Sequence, residues 1–170
     1  WKYPLESKVL LSSIGMTNLY MNSIVFSTGL GIVQAIDTLC SNAYGSNNYY
    51  LMGIYLHRGR LISIIYCLIM GIINFFYGVK IIGLFVSEPE ILTNISIYIK
   101  LSSVSLFLLI FYNSNQRYLN VLRKAYITTR ILVFTIILHI LWCYLLIGVL
   151  DLGIIGAGLS IIVTQILNII

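Results

Sequence analysis

The chain has 170 residues, of which 59% are hydrophobic and 9% charged, with a formal net charge of +5. A soluble domain carries about a quarter of its residues as charged side chains, so an ordinary water-soluble fold is excluded and an all-α polytopic membrane protein is expected. The positive charge lies in a few short segments, which gives a nucleic-acid reading nothing to rest on.

Charge divides the sequence into the uncharged runs Val9 to Ile36, Leu61 to Val79, Leu101 to Gln116, Ile131 to Leu150 and Leu152 to Ile170. About 20 apolar residues carry a helix across a bilayer, and five helices are expected. The first spans about residues 11–39, with Ser23, Ser27, Gly31, Gln34, Asp37, Thr38 and Ser41 on one side at 100° per residue. It ends at the turn YGSNNYY. The second, about residues 52–76, aligns Ser63, Cys67, Gly71, Asn74 and Gly78, and ends before the turn SEPE. The third, about residues 91–112, extends the short run backwards through ILTNISIYI if Lys100 snorkels to the headgroups. It places Ser102, Ser105, Asn113, Gln116 and Asn120 together. The sequon Asn94-Ile-Ser96 lies too near its start for glycosylation to be expected. The fourth covers about residues 129–150 and holds His139; the fifth, about residues 154–170, aligns Gly153, Gly156, Ser160, Thr164 and Asn168. With no long linker, all five are expected to pack as a single membrane domain over 1–170.

Lys and Arg collect in short cytoplasmic loops. Arg58 and Arg60 follow the first helix, and Arg117, Arg123, Lys124 and Arg130 follow the third, whereas the alternate connections hold Lys80, Glu88, Glu90 and Asp151. The basic segments are therefore expected on the cytoplasmic side and Trp1 on the outer side. The chain starts without Met, and WKYPLESKVL has no signal-peptide pattern; an outer start implies a preceding membrane helix.

Polar stripes cannot face lipid cheaply, so each faces a neighbouring helix or a wet cavity. Interhelical hydrogen bonding and close packing of small residues, as at Gly156 and Ser160, is one reading; a solute pathway is the other. An enzyme is not expected, because His57 and His139 sit in no nucleophile, phosphate-loop or His-x-x-Glu-His arrangement. No cofactor or metal is called for: Cys40, Cys67 and Cys143 have no ligand spacing and read as reduced packing residues. His139 reads as a helix-to-helix hydrogen-bonding residue, with a proton relay as the alternative. Asp37 is the one acid near a span. Depth counting puts it about one turn beyond the bilayer at a helix C-terminus, where it opposes the macrodipole and needs a cation, Arg58 or Arg117.

The stretch GLGIVQAIDTLCSNAYGS, followed by GIYLHRGRLI, resembles the multidrug and toxic compound extrusion (MATE) family, especially its eukaryotic branch. The likeness continues with Tyr98, Gln116-Arg117-Tyr118-Leu119, LHILWCYLL and LGIIGAGLS, in the family's order, from about Val9 to Ile170. It implies a five-helix portion, the second to sixth helices, of the amino-terminal six-helix lobe of a twelve-helix antiporter. The first helix and the carboxy-terminal lobe would then be the missing partners within one polypeptide. The resemblance implies export of small organic cations, drugs or metabolites in exchange for protons or sodium by alternating access, in a plasma or organelle membrane. We read Gln34, Asp37, Asn42, Gln116 and Arg117 as a cytoplasmic-side gate or pathway, with Asp37 as a gate clamp and a transport-coupling role as the alternative; the resemblance at Asp37 carries over the motif position only. Family members often have Gln at Asn42 and prolines at Val104 and Ser114, so a straighter third helix is expected here. A truncated fragment with a structural role, and a lipid-linked oligosaccharide flippase with a more cationic cavity, are the alternatives.

Overall fold

The computed structural model describes residues 4–169, with side chains from residue 7; Trp1, expected on the outer side, and Ile170, the expected end of the last helix, lie outside them. Five helices follow one another through short turns. Helix α1 joins Pro4–Tyr20, a π-helical turn at Met21–Phe26 and Ser27–Gly45; α2 is Tyr49–Ile82 and α3 is Pro89–Val121. Helix α4 runs over Ala125–Cys143 and ends in a second π-helical turn at Tyr144–Val149, and α5 is Gly153–Ile169. Helices α1 to α4 are long and apolar enough to cross a bilayer. The fifth is apolar but has 17 residues, about 25 Å of helix against a hydrocarbon core of about 30 Å. Five spans were expected; the described residues supply four of full length and one shorter helix.

Local chemistry sets the ends. Asn47 takes a left-handed conformation, φ 55°, in the turn after α1, and the Asn48 side chain accepts the Leu51 amide at 3.0 Å, capping α2. Pro89 opens α3, where its missing amide proton costs no hydrogen bond. Without internal proline, α3 runs unbroken for 33 residues.

Helix α3 is the hub, packed on α1, α2 and α5, while α4 leans chiefly on α5. One core layer joins Met21, Val25, Val33, Cys67, Ile99, Leu106 and Ile110 across α1, α2 and α3. A second, nearer the basic end, gathers Ile36, Cys40, Ala43, Met52 and Leu56, flanked by Tyr118 and Val121. At the α1–α2 crossing, Gly59 leaves no room for a Cβ because Ile36 occupies that space.

Three of the four polar stripes are used in packing. Ser63, Cys67, Asn74 and Gly78 of α2 are buried, as are Ser102 and Ser105 of α3. The α5 stripe meets α4: Thr135 donates to Asn168 Oδ1 at 2.7 Å, and the His139 ring faces Thr164 Oγ1 at 2.8 Å. Close approach helps here, since a Cβ on Gly156 would stand 2.8 Å from the Leu146 carbonyl oxygen. The α1 stripe is different. Ser23, Ser27, Gly31, Gln34, Thr38 and Ser41 are all exposed, opposite the buried row Met21, Val25, Gly29, Val33, Ile36 and Cys40.

A buried hydrogen bond fixes α1 against α2: Tyr20 donates to Asn74 Oδ1 at 2.7 Å, and both residues are buried. In a double-mutant cycle of Tyr20→Phe and Asn74→Leu, we expect a coupling of roughly 0.6 kcal/mol, the mean for such bonds inside membrane proteins. Thermal unfolding of the three variants measures it, and full additivity would remove the bond from the stability of the fold. The π-helical turn of α1 is held from the same side. A π turn leaves carbonyls without their usual i+4 donors, and Tyr66 of α2 donates to Val25 O at 2.5 Å. Thr28 donates to Ile24 O at 2.8 Å and also contacts the Tyr66 hydroxyl.

Candidate functional site

The site is built where α1 and α3 pass each other at the basic end. Ile36 and Cys40 point into the core at 2% and 0% exposure, which leaves Asp37, between them on the helical surface, at the edge of the packed face. Arg117 reaches it from α3, one turn before Val121. Arg117 Nη1 lies 3.6 Å from Asp37 Oδ2, and the two side chains are 36% and 35% exposed. The contact is an ion pair longer than a hydrogen bond. Partial exposure limits such a pair to about 0.2–1 kcal/mol.

Helix α1 continues to Gly45, two turns past Asp37, and the macrodipole acts only within the last turn; the demand for a cation therefore comes from the membrane rim alone. Of the two candidate cations, Arg117 is the partner; Arg58 is exposed and forms no ion pair with Asp37. Gln34 lies one turn before Asp37 on the uncovered face, and Thr38 donates to its carbonyl at 3.2 Å. Asn42 is exposed near the end of α1, where its carbonyl accepts the Ser46 amide at 3.2 Å. Gln116 does not join the pair; it lines a separate cavity with Arg60, Tyr112 and Asn115.

His139 is set apart between α4 and α5. Thr164 gives its hydroxyl proton to Ser160 O at 2.8 Å, so it accepts from His139 Nδ1 and leaves Nε2 facing Cys143 Sγ at 3.4 Å. The partners of the ring are a hydroxyl and a thiol.

Sequence reasoning treated Arg60 only as a topological charge. Its guanidinium donates to Asn115 Oδ1 and lies 5.2 Å from the Phe111 ring centroid. The signal was present: Arg58 and Arg60, two apart, point to opposite sides of a helix, and Arg60 shares the side of the buried positions Leu56, Gly59 and Ser63.

A family model, MatE, matches residues 4–145, most of the chain. The chain belongs to the MatE family. It is an integral, multi-pass membrane protein of that family. The MatE chain is 25% identical over 162 residues to Protein DETOXIFICATION 27 of Arabidopsis thaliana, covering 94% of itself and 32% of that relative. It is 30% identical over 167 residues to Multidrug and toxin extrusion protein 1 of Xenopus tropicalis, covering 96% and 28%. With Multidrug and toxin extrusion protein 2 of Pongo abelii it shares 28% identity over 158 residues, 93% and 27%. The chain thus spans less than a third of the length of these curated relatives. No solved structure matches it.

Proposed function

We propose that the protein containing this chain is a secondary antiporter that exports small organic cations, drugs or metabolites in exchange for protons or sodium by alternating access. The observation that carries the reading is the uncovered polar face of α1. Seven positions from Ser23 to Ser41 lie on one side, with the Asp37–Arg117 pair near its basic end. A polar stripe facing hydrocarbon is costly, so it requires a wet cleft or a further helical layer. The neutral side chains of that face suit weak, broad contact with amphipathic solutes, and they do not offer the cationic cavity a lipid-linked oligosaccharide flippase would use.

The ion pair suits a gate. A fully buried pair is too costly to open, since an uncompensated buried charge costs several kcal/mol, whereas a pair about one-third exposed shifts a two-state equilibrium by at most about 1 kcal/mol, or fivefold. We infer that Asp37 and Arg117 hold the cytoplasmic side closed in the outward-open state and separate in the inward-open state. Coupling by protons or sodium is a property of the whole protein.

Efflux of a fluorescent organic cation from cells expressing the full-length gene tests the reading, with the proton and sodium gradients collapsed in turn. Efflux is expected to stop with one gradient and persist without the other. Efflux that survives loss of both would overturn the antiport mechanism.

A further inference from the structure

We propose that the cavity at the basic end between α2, α3, α4 and α5 is a binding site for the phosphate headgroup of an anionic phospholipid, with Arg60 as the recognising cation. The cavity measures about 360 Å³; Arg60, Tyr112, Asn115 and Gln116 are on its wall, with Leu119 and Ile131 among the apolar residues, and no carboxylate lines it. The wall is therefore cationic and polar on one part and apolar on another, which is the division an amphiphile presents.

Two observations converge on this ligand. Among the described residues, Arg60 is the one cation on the wall, held in place by Asn115 and by the Phe111 ring, and no carboxylate on the wall neutralises it. A fixed, uncompensated guanidinium is a receptor for an oxyanion. Depth is the second. Arg60 and Lys80 bracket the uncharged run Leu61 to Val79 on α2, and 20 residues of helix span about 30 Å, the thickness of the hydrocarbon core. Arg60 thus stands at the edge of the hydrocarbon core, where a snorkelling side chain meets the lipid phosphates. A zwitterionic headgroup would bring a second cation to a wall that has no carboxylate to receive it, so an anionic one is preferred.

The test is native mass spectrometry of the purified full-length protein in detergent, titrated with phosphatidylglycerol and with phosphatidylcholine. The expected result is retention of phosphatidylglycerol over phosphatidylcholine. Arg60→Gln should lower that retention about fivefold, the value of one cation near an anionic lipid surface. Arg58→Gln, the same charge change on the opposite side of the helix turn, should leave it within about twofold. Gln116→Glu keeps the shape of a residue on the wall, adds a carboxylate there and should lower retention about fivefold, which keeps the test open if Arg60→Gln fails to fold. Equal retention of the two lipids, or equal losses in Arg58→Gln and Arg60→Gln, would overturn the proposal. So would displacement of the lipid by millimolar glycerol 3-phosphate, which would make the site one for a soluble phosphate.

Discussion

Gly59→Ala is expected to destabilise the protein by about 1–3 kcal/mol, the range for overpacking a filled core, and to lower its unfolding temperature by about 5 °C. The single added methyl group falls on Cγ1 and Cδ1 of Ile36, a residue 2% exposed, so the Ile36 side chain must shift within a buried layer. The damage should also reach the site, because Ile36 directly precedes Asp37 and a shifted Ile36 moves the carboxylate away from Arg117. Ile36→Ala alone also destabilises, by leaving a cavity. Combined with Gly59→Ala, it supplies the missing room, and the double variant should be more stable than the sum of the two losses. Thermal unfolding in detergent measures all three. Simple additivity would mean that Gly59 and Ile36 do not set the α1–α2 crossing.

That crossing shows where sequence reading reached and where it stopped. The helices were legible because charge is rare enough for each uncharged run to mark a passage through hydrocarbon. Their ends were not. The expected second helix, residues 52–76, is Tyr49–Ile82, and the third, residues 91–112, continues to Val121. Hydropathy reports where the bilayer ends, whereas the backbone hydrogen-bond ladder continues until a turn such as that at Asn47 or Arg123 interrupts it, both with positive φ. The two π-helical turns were not legible, because the first depends on Tyr66, 41 residues from Val25, reaching its carbonyl.

Stripes on α1, α2, α3 and α5 could be drawn from periodicity alone, since 100° per residue fixes which residues share a side. What covers each side depends on the neighbours. Ser63, Asn74, Ser102 and Ser160 are buried against other helices, while Ser23, Ser27, Gln34 and Ser41, identical in kind, remain open. The pairing of Asp37 with a cation could be expected from membrane physics, but the choice of Arg117 over Arg58 required the packing of α1 on α3. Arg60 was hidden by its usefulness as a topology marker: counting Lys and Arg by segment discards the direction in which each side chain points.

Asp37→Asn in the full-length protein is expected to lower organic-cation efflux by about fivefold with unchanged expression. The magnitude follows from the pair: side chains 36% and 35% exposed, at 3.6 Å, bias a two-state gate by no more than about 1 kcal/mol. Asparagine keeps the shape and a carbonyl acceptor but removes the charge, so folding should survive where gating does not. Arg117→Gln should give the same loss. Because the interaction is an ion pair and not a bidentate hydrogen bond, its geometry is tolerant, and the exchange Asp37→Arg with Arg117→Asp should restore a large part of the efflux. High salt should mimic the single variants in wild-type protein, since the pair is open to screening. A proton-coupling carboxylate would behave differently: Asp37→Asn would abolish exchange and Arg117→Gln would shift only its pH dependence. Equal, partial losses rescued by the swap identify a clamp; unchanged efflux in Asp37→Asn would remove both roles.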